Sequence, residues 1–332
     1  MDSAIDDLDL RLLHALQIDG RAAFARIAEV LGVSDRTVAR RYGRLRATGM
    51  VRVTGVADGD RTAAWIVRIR VRPTATPGLA RSLSTRTDTA WVTVFSGGTE
   101  IGCLFRIPDE GPVPLAALAR NPQVLDLSAH RLLRPLTDRR WHARTSALTP
   151  AQIAALRSNP APAESIPAAS MVSEIGPTGP SAGPMPSSDL DRKLLPALAA
   201  DGRAAYPDLA RRTGWSESAV RRRVDELRRA GKLRFDVEVD PTALGHPVSC
   251  VLWLTVAPGR LTTVAQSLAA DPQTAFLAAI TGPHNLFAVT VFRDTVALYD
   301  YLATRLGGLD GVRAVESAPV VSYTKRDAPA LP

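Results

Sequence analysis

The chain has 332 residues, 45% of them apolar and 22% charged, and a formal net charge of +8. That length holds about two to four domains, each able to bury its own core. No uninterrupted apolar run approaches the roughly 18 residues of a membrane span, and the acidic N-terminal stretch is not a secretory leader, so a cytoplasmic protein is expected.

The first predicted helix places Leu8, Leu12, Leu13 and Leu16 on one face, with Asp6, Asp7 and Asp9 in its first turn, where carboxylates suit the helix dipole. Asp19-Gly20 is expected to end it, glycine supplying the cap conformation. A second short helix runs from Phe24 to Leu31, then a Gly32-Val33 turn, then a third helix capped by Ser34 and ending at Gly49. Helical periodicity then gives way to strand alternation. Trp65 to Val71, Trp91 to Ser96, Ile101 to Ile107 and Val124 to Leu133 read as strands, with helices at Thr76 to Arg86 and Pro114 to Arg120. Thr149-Pro150-Ala151-Gln152 is a capping box opening a short helix to Arg157. From Asn159 the Pro-, Ser- and Ala-rich chain cannot bury enough apolar area to order itself and reads as a linker. The roughly 50 residues between the halves, Pro135 to Ser187, span on the order of 40 Å as a coil, so the two halves can reach each other.

Asp189 to Arg234 then repeats Asp7 to Arg52 without a gap, with about 22 of 46 positions identical. One departure is Pro196 in place of His14, which predicts a kink or a late helix start. The strand-rich segment returns as well. Strands are read at Val248 to Val256, Ala275 to Thr281, Leu286 to Phe292 and Val312 to Val320, and helices at Leu261 to Ala270 and Thr295 to Leu306. The βαββαβ order occurs twice. The fold class is therefore α+β: two winged-type helix-turn-helix domains, residues 1–60 and 188–245, and two ferredoxin-like sandwiches, 61–136 and 246–326, with the linker at 137–187. The sandwiches are expected to pair with each other, giving an intrachain pseudo-dimer.

The third helix of each repeat carries the case for nucleic acid. Ser34 to Arg52 holds six arginines against one acid. With Val38, Tyr42 and Leu45 facing inward, Arg36, Thr37, Arg40 and Arg44 face outward, and Arg41 is grouped with them. The second copy offers Ser216, Ser218, Arg221, Arg222 and Arg223. A helix with one apolar seam and an outward arginine fork fits the major groove of duplex DNA. The outward residues differ between copies (Arg36, Thr37 and Ala39 against Ser218, Ala219 and Arg221), so unequal half-sites are expected.

These residues resemble the Lrp/AsnC, or feast-famine, transcription regulators. The shared features are the leading Leu-Asp, Asp-Gly-Arg after the first helix, Gly-x-Ser before the third, Val-x-Arg-Arg within it and the closing Ala/Thr-Gly. The resemblance implies sequence-specific binding to double-stranded DNA and modulation by a small molecule such as an amino acid, held where two sandwiches meet. It also implies further homo-oligomerisation. The positions matching that site are the turns Ser96-Gly97-Gly98-Thr99-Glu100 and Thr281-Gly282-Pro283-His284-Asn285. A plain hairpin turn is the simpler reading of each.

No catalytic constellation is present. Five histidines (14, 130, 142, 246 and 284) are scattered, with no HExxH, GxSxG or P-loop, so neither enzyme activity nor a metal or cofactor is expected. His130 and His142 read as surface residues, and Cys103 and Cys250 as buried thiols in a reducing compartment. Two alternatives remain open: an architectural nucleoid protein with little sequence preference, and an enzyme resembling the sirohaem decarboxylases, which pair units of this kind. Against the second, the first-half turn lacks a histidine.

Overall fold

The computed structural model describes residues 5–57, 62–108, 113, 115–137, 147–157 and 188–326. The linker expected from Asn159 and the residue His142 lie outside them.

Each repeat builds a three-helix head followed by one strand. The first comprises α1 (Asp7–Ile18), α2 (Phe24–Leu31), α3 (Asp35–Ala47) and β1 (Val51–Ala57). A reciprocal capping box opens α1: the Asp9 amide donates to Asp6 Oδ1 at 2.9 Å, and the Asp6 amide to Asp9 Oδ2 at 3.2 Å. Gly32 closes α2 in the left-handed region (φ 69°), a conformation that costs a residue without Cβ little.

The chain then forms β2 (Thr62–Val71), α4 (Thr76–Ser84), β3 (Thr89–Phe95), β4 (Glu100–Pro108), α5 (Leu115–Ala119) and β5 (Val124–Pro135). A short α6 (Pro150–Arg157) packs on the first head, burying Leu156, with Leu148 just before it. Its capping box is present: the Thr149 amide donates to Gln152 Oε1 at 3.0 Å, and the Gln152 amide to Thr149 Oγ1 at 3.3 Å. The Leu148 amide donates to His14 Nδ1 at 3.1 Å.

The second head has α7 (Asp189–Ala200), α8 (Tyr206–Thr213), α9 (Glu217–Arg229) and β6 (Leu233–Val239). Pro196 neither delays nor interrupts α7, which has the same length as α1. The second sandwich follows as β7 (Val248–Val256), α10 (Leu261–Ala269), β8 (Thr274–Ile280), β9 (Leu286–Phe292), α11 (Thr295–Asp300) and β10 (Val312–Arg326). Beyond α11 the helix widens to π geometry over Tyr301–Leu306.

The strands closing the heads do not form a wing within each copy. They pair with each other, antiparallel, with Val51 opposite Val239 and Ala57 opposite Leu233. This ribbon explains the glycine after the first helix. The helix ends at Asp19 in extended backbone, and Gly20 is not its left-handed cap. A Cβ on Gly20 would instead lie 3.1–3.2 Å from Phe235, Val237 and Val53 of the ribbon. The two heads share one hydrophobic core, in which Leu12, Leu16 and Ile27 cluster with Leu194, Leu198 and Leu209.

The eight remaining strands close into a barrel in the order β10-β3-β4-β2-β5-β8-β9-β7. Each half contributes a ferredoxin-like sheet. The junctions are β5 with β8 (Leu132 opposite Ile280) and β10 with β3 (Val320 opposite Phe95). They are equivalent under a pseudo-twofold relation, so the expected pairing of first half with second is what closes the barrel. Each sheet packs its outer face on its own helices, while Phe95, Trp253, Phe287 and Val289 face the interior between the sheets.

Candidate nucleic-acid interface and ligand turns

The third helix of each head begins at a serine whose hydroxyl caps it. Ser34 Oγ accepts from the Thr37 amide at 3.1 Å, and Ser216 Oγ from the Ala219 amide at 3.3 Å. Val38, Tyr42 and Leu45 are buried on the inner face of α3, as are Val220, Val224 and Leu227 on α9. Arg36, Arg40 and Arg44 are exposed, Thr37 half-buried, and Ser218, Arg221 and Arg222 exposed. Arg222 is the freest of the second set, its side chain 77% exposed and 3.7 Å from Glu226. Arg221 is held by Glu217 at 2.9 Å and lies over the Tyr206 ring.

Arg41, Arg44 and Arg223 depart from the outward reading. Arg41 turns back to α1 and donates to Asp6 and Asp9, at 2.6 and 2.9 Å. Arg44 is also bound to Asp9, whose carboxylate is fully buried. Arg223 makes the matching contact in the second head, reaching Asp191 at 2.7–2.8 Å and Glu226 at 3.1 Å. The reason is position: Arg41 and Arg223 flank the apolar seam, so their long side chains lie against the first helix. Burial opposes the charge on Asp191, but the Arg223 guanidinium and the hydrogen bonds from Ser188 together hold the carboxyl below its usual range.

The Asp-Gly-Arg motif of each head serves the other head. Arg21 donates to the carbonyls of Gly202 (2.5 Å) and Ala204 (2.9 Å). Arg203 donates to those of Gly20 (2.7 Å) and Ala22 (2.8 Å). Arg46 pairs with Asp201 at 2.8 Å and Arg228 with Asp19 at 3.1 Å. Arg203 also lies over the rings of Phe24 and Tyr42, and Arg21 over those of Tyr206 and Phe235. These ties, with the ribbon and the common core, fix the two third helices relative to one another. Arg21 and Arg203 belong to the Asp-Gly-Arg motif that recurs in both copies, and only the pairing of the heads gives them this role.

The two turns differ in what they offer. Around the first, Gly97 and Thr99 are exposed, and a Cβ on Gly97 or Gly98 would meet open space. Glu100, by contrast, is buried and committed. It accepts from Arg68 at 2.8 and 2.9 Å and from the Ser96 hydroxyl at 2.9 Å. Arg68 continues to Glu316 at 2.6 Å, and Glu316 lies 3.5 Å from His284 Nε2. A polar chain Glu100–Arg68–Glu316–His284 thus joins the two turns across the seam between halves. In the second turn the Asn285 side chain is spent on the backbone of Val256 (2.9 and 2.7 Å). His284 Nδ1 sits 3.1 Å from Thr255 Oγ1. His130, read as a surface residue, is buried at 7% exposure. It wedges beneath Gly282, with Nδ1 2.8 Å from the Thr281 carbonyl oxygen, and fills the space that a side chain at Gly282 would need.

Cys103 and Cys250 are both free and buried. Among the described residues no helix is long and apolar enough to cross a membrane, and no group of three acidic, His or Cys side chains is placed to hold a metal.

Comparison with known proteins agrees with this arrangement. The AsnC-type helix-turn-helix domain profile matches twice, at residues 5–46 and 188–228, and the Lrp/AsnC ligand binding domain profile matches residues 249–330. An uncharacterized HTH-type transcriptional regulator of Pyrococcus abyssi is 30% identical over 138 residues, which are 41% of this chain and 87% of that protein. The HTH-type transcriptional regulator LrpA of Pyrococcus horikoshii is 29% identical over 41% of this chain and 96% of its own. Such relatives therefore correspond in length to one half of the chain. Over its whole length the fold resembles the solved structure of the siroheme decarboxylase NirDL, with a TM-score of 0.61, 11% identity, and 97% of this chain and 93% of that one covered. At that identity the likeness is one of fold alone. The duplicated helix-turn-helix heads, the sandwich topology and the regulator relatives together place this chain in the Lrp/AsnC family of HTH-type transcriptional regulators.

Proposed function

We propose that one chain acts as a complete two-headed DNA reader, laying α3 and α9 in major grooves of a single duplex and recognising unequal half-sites. The observation that carries this reading is the exposure of Arg40 and Arg222 at equivalent positions on two helices tied together through Arg21 and Arg203. Ser34, Arg36, Thr37 and Arg40 serve one half-site, and Ser216, Ser218, Arg221 and Arg222 the other. Arg41 and Arg223 hold the recognition helices against α1 and α7, and Arg44 divides between Asp9 and solvent. Asp35 is the only acid on α3, whereas Glu217, Asp225 and Glu226 temper α9, so the first head grips phosphate more strongly.

Small-molecule modulation draws on what the turns leave free. These are the exposed surface at Gly97 and Thr99 with the adjoining Gly98, and the rim around His284, whose ring is held between Thr255 and Glu316; the side chains of Glu100 and Asn285 are committed within the protein. The relatives named as transcriptional regulators support a non-catalytic reading. Incubation with an iron tetrapyrrole followed by an absorbance scan tests it, and no uptake is expected.

DNA bound by the full chain is selected from a genomic library, and the two half-sites are scored separately with Arg40→Ala and Arg222→Ala. Each substitution is expected to cost roughly 1–3 kcal/mol at its own half-site if it reads a base. Equal losses at both half-sites from either substitution would reject the asymmetric reading. A small ratio of specific to non-specific affinity would favour an architectural role instead.

A further inference from the structure

The two heads differ in the residue between the glycine that ends the second helix and the serine that caps the third. It is Val33 in the first head and Trp215 in the second. Val33 packs against the core that the heads share, whereas Trp215 is 37% exposed. Gly214, in the left-handed region at φ 84°, turns the chain just before it, so the indole stands at the entrance to α9. Lys193 steadies this turn: its Nζ donates to the Thr213 carbonyl at 3.2 Å and lies 5.6 Å from the centroid of the Trp215 ring. Trp215 lines a groove between the start of α7 and α9 together with Ala219 and the exposed Arg222. Ala219 offers a methyl group where the first head has the hydroxyl of Thr37. Asp189 and Glu226 border the same groove, and Arg223 there is spent on Asp191. A phosphate would meet those two acids, so the groove suits an uncharged, apolar part of a nucleotide.

We infer that Trp215 is a specificity-determining residue of the second head, making an apolar contact with the half-site under α9 that the first head lacks. The inference rests on the DNA-binding reading and adds a non-ionic element to it beside Arg222. Two parts of a duplex offer such a surface: the thymine methyl group, which is the apolar feature of the major-groove edge, and the deoxyribose of the groove wall. An indole has a large apolar area to bury against either.

The test uses the full chain and selected duplexes that each keep one half-site intact and scramble the other. Trp215→Val installs the first head's residue. It is expected to weaken binding at the second half-site about fivefold to tenfold and to leave the first unchanged. The dependence of affinity on salt should not change, because no phosphate contact is lost. The thermal transition should not change either, since the ring is not part of the core, and Trp215→Phe should retain most of the affinity. Replacing thymine by uracil in the second half-site identifies the partner. If the substitution removes the difference between wild type and Trp215→Val, the ring meets the methyl group; if the difference persists, it meets the sugar. Wild-type affinity of Trp215→Val at the second half-site, an equal loss at both, a reduced salt slope or a lowered thermal transition would each overturn the inference while leaving the DNA-binding reading intact. A wild-type chain that shifts no duplex rejects both.

Discussion

Arg68 and Trp253 hold the same place in the two halves of the barrel, opposite Gly102 on β4 and opposite Phe287 on β9, and they meet across the seam with the guanidinium carbon 4.4 Å from the indole centroid. A cation and an aromatic ring therefore stand where an unfused, symmetric pair would set one residue against itself. The same guanidinium bridges Glu100 from the first half and Glu316 from the second.

Removing that guanidinium strands a buried carboxylate. Arg68→Ala is expected to cost about 3 kcal/mol, the penalty for leaving one member of a buried pair alone. Arg68→Lys should recover only part of it, because a point charge cannot span both acids and stack on indole. Guanidinium unfolding of the full chain measures both.

Arg222 and Arg223 are neighbours in opposite surroundings, the first exposed and the second bound to Asp191. Arg223→Ala should destabilise the second head by about 3 kcal/mol through the uncompensated Asp191. Arg222→Ala should leave stability within about 0.5 kcal/mol and act on DNA affinity instead. Denaturation and fluorescence anisotropy, run on the same preparations, separate the two.

Arg203 binds two carbonyls of the opposite head and stacks on Phe24. Arg203→Ala is expected to cost about 3 kcal/mol, from two charge-assisted hydrogen bonds and a cation–π contact. Hydrogen exchange should speed at the ribbon amides of β1 and β6 more than in the barrel. Uniform acceleration throughout would show that the heads and the barrel open together.

Acid should weaken both the seam between the halves at Glu316 and the α7–α9 contact at Asp191. The hydrogen bond from Arg68 holds the Glu316 carboxyl below its usual 4.5, against the opposing effect of burial. In Asp191 burial raises the carboxyl, but Arg223 and the Ser188 hydrogen bonds together leave it below 3.8. For a carboxylate depressed in the folded state, the stabilisation is complete above its unfolded value and disappears as pH falls through the folded one. Denaturation midpoints should thus be flat down to about pH 5 and fall below it. Glu316→Gln should flatten part of that slope.

Both thiols should be silent in the native state. Burial pushes Cys250 up to about 11 and raises Cys103 as well. Neither should react with a disulfide reagent at pH 8 until the chain unfolds, and both should react in denaturant.

The heads and the strand order were legible because they rest on local periodicity, and the duplication printed each signal twice. What lay beyond reach depended on partners far away in the chain. Val51 to Ala57 alternates well enough for a strand, yet its partner begins at Leu233 and nothing local names it. Arg41 looked like a member of the arginine fork because its count along α3 is the same whether it faces DNA or Asp9. His130 looked exposed among polar neighbours, and only closure of the barrel at the β5–β8 junction places Gly282 above it. Arg68 carried no motif at all. Its role arises from bridging Glu100 and Glu316, residues 216 positions apart by their numbers.

The strand-to-strand ribbon of β1 and β6 bears on how such a protein behaves in the cell. A reader built from separate subunits splits apart on dilution and trades members with its paralogues. Here the second reading head arrives on the same polypeptide, so the paired form persists at the lowest copy number and mixed partnerships are not needed to make it. Each recognition surface is then free to drift toward its own target, since a change in one no longer appears automatically in the other.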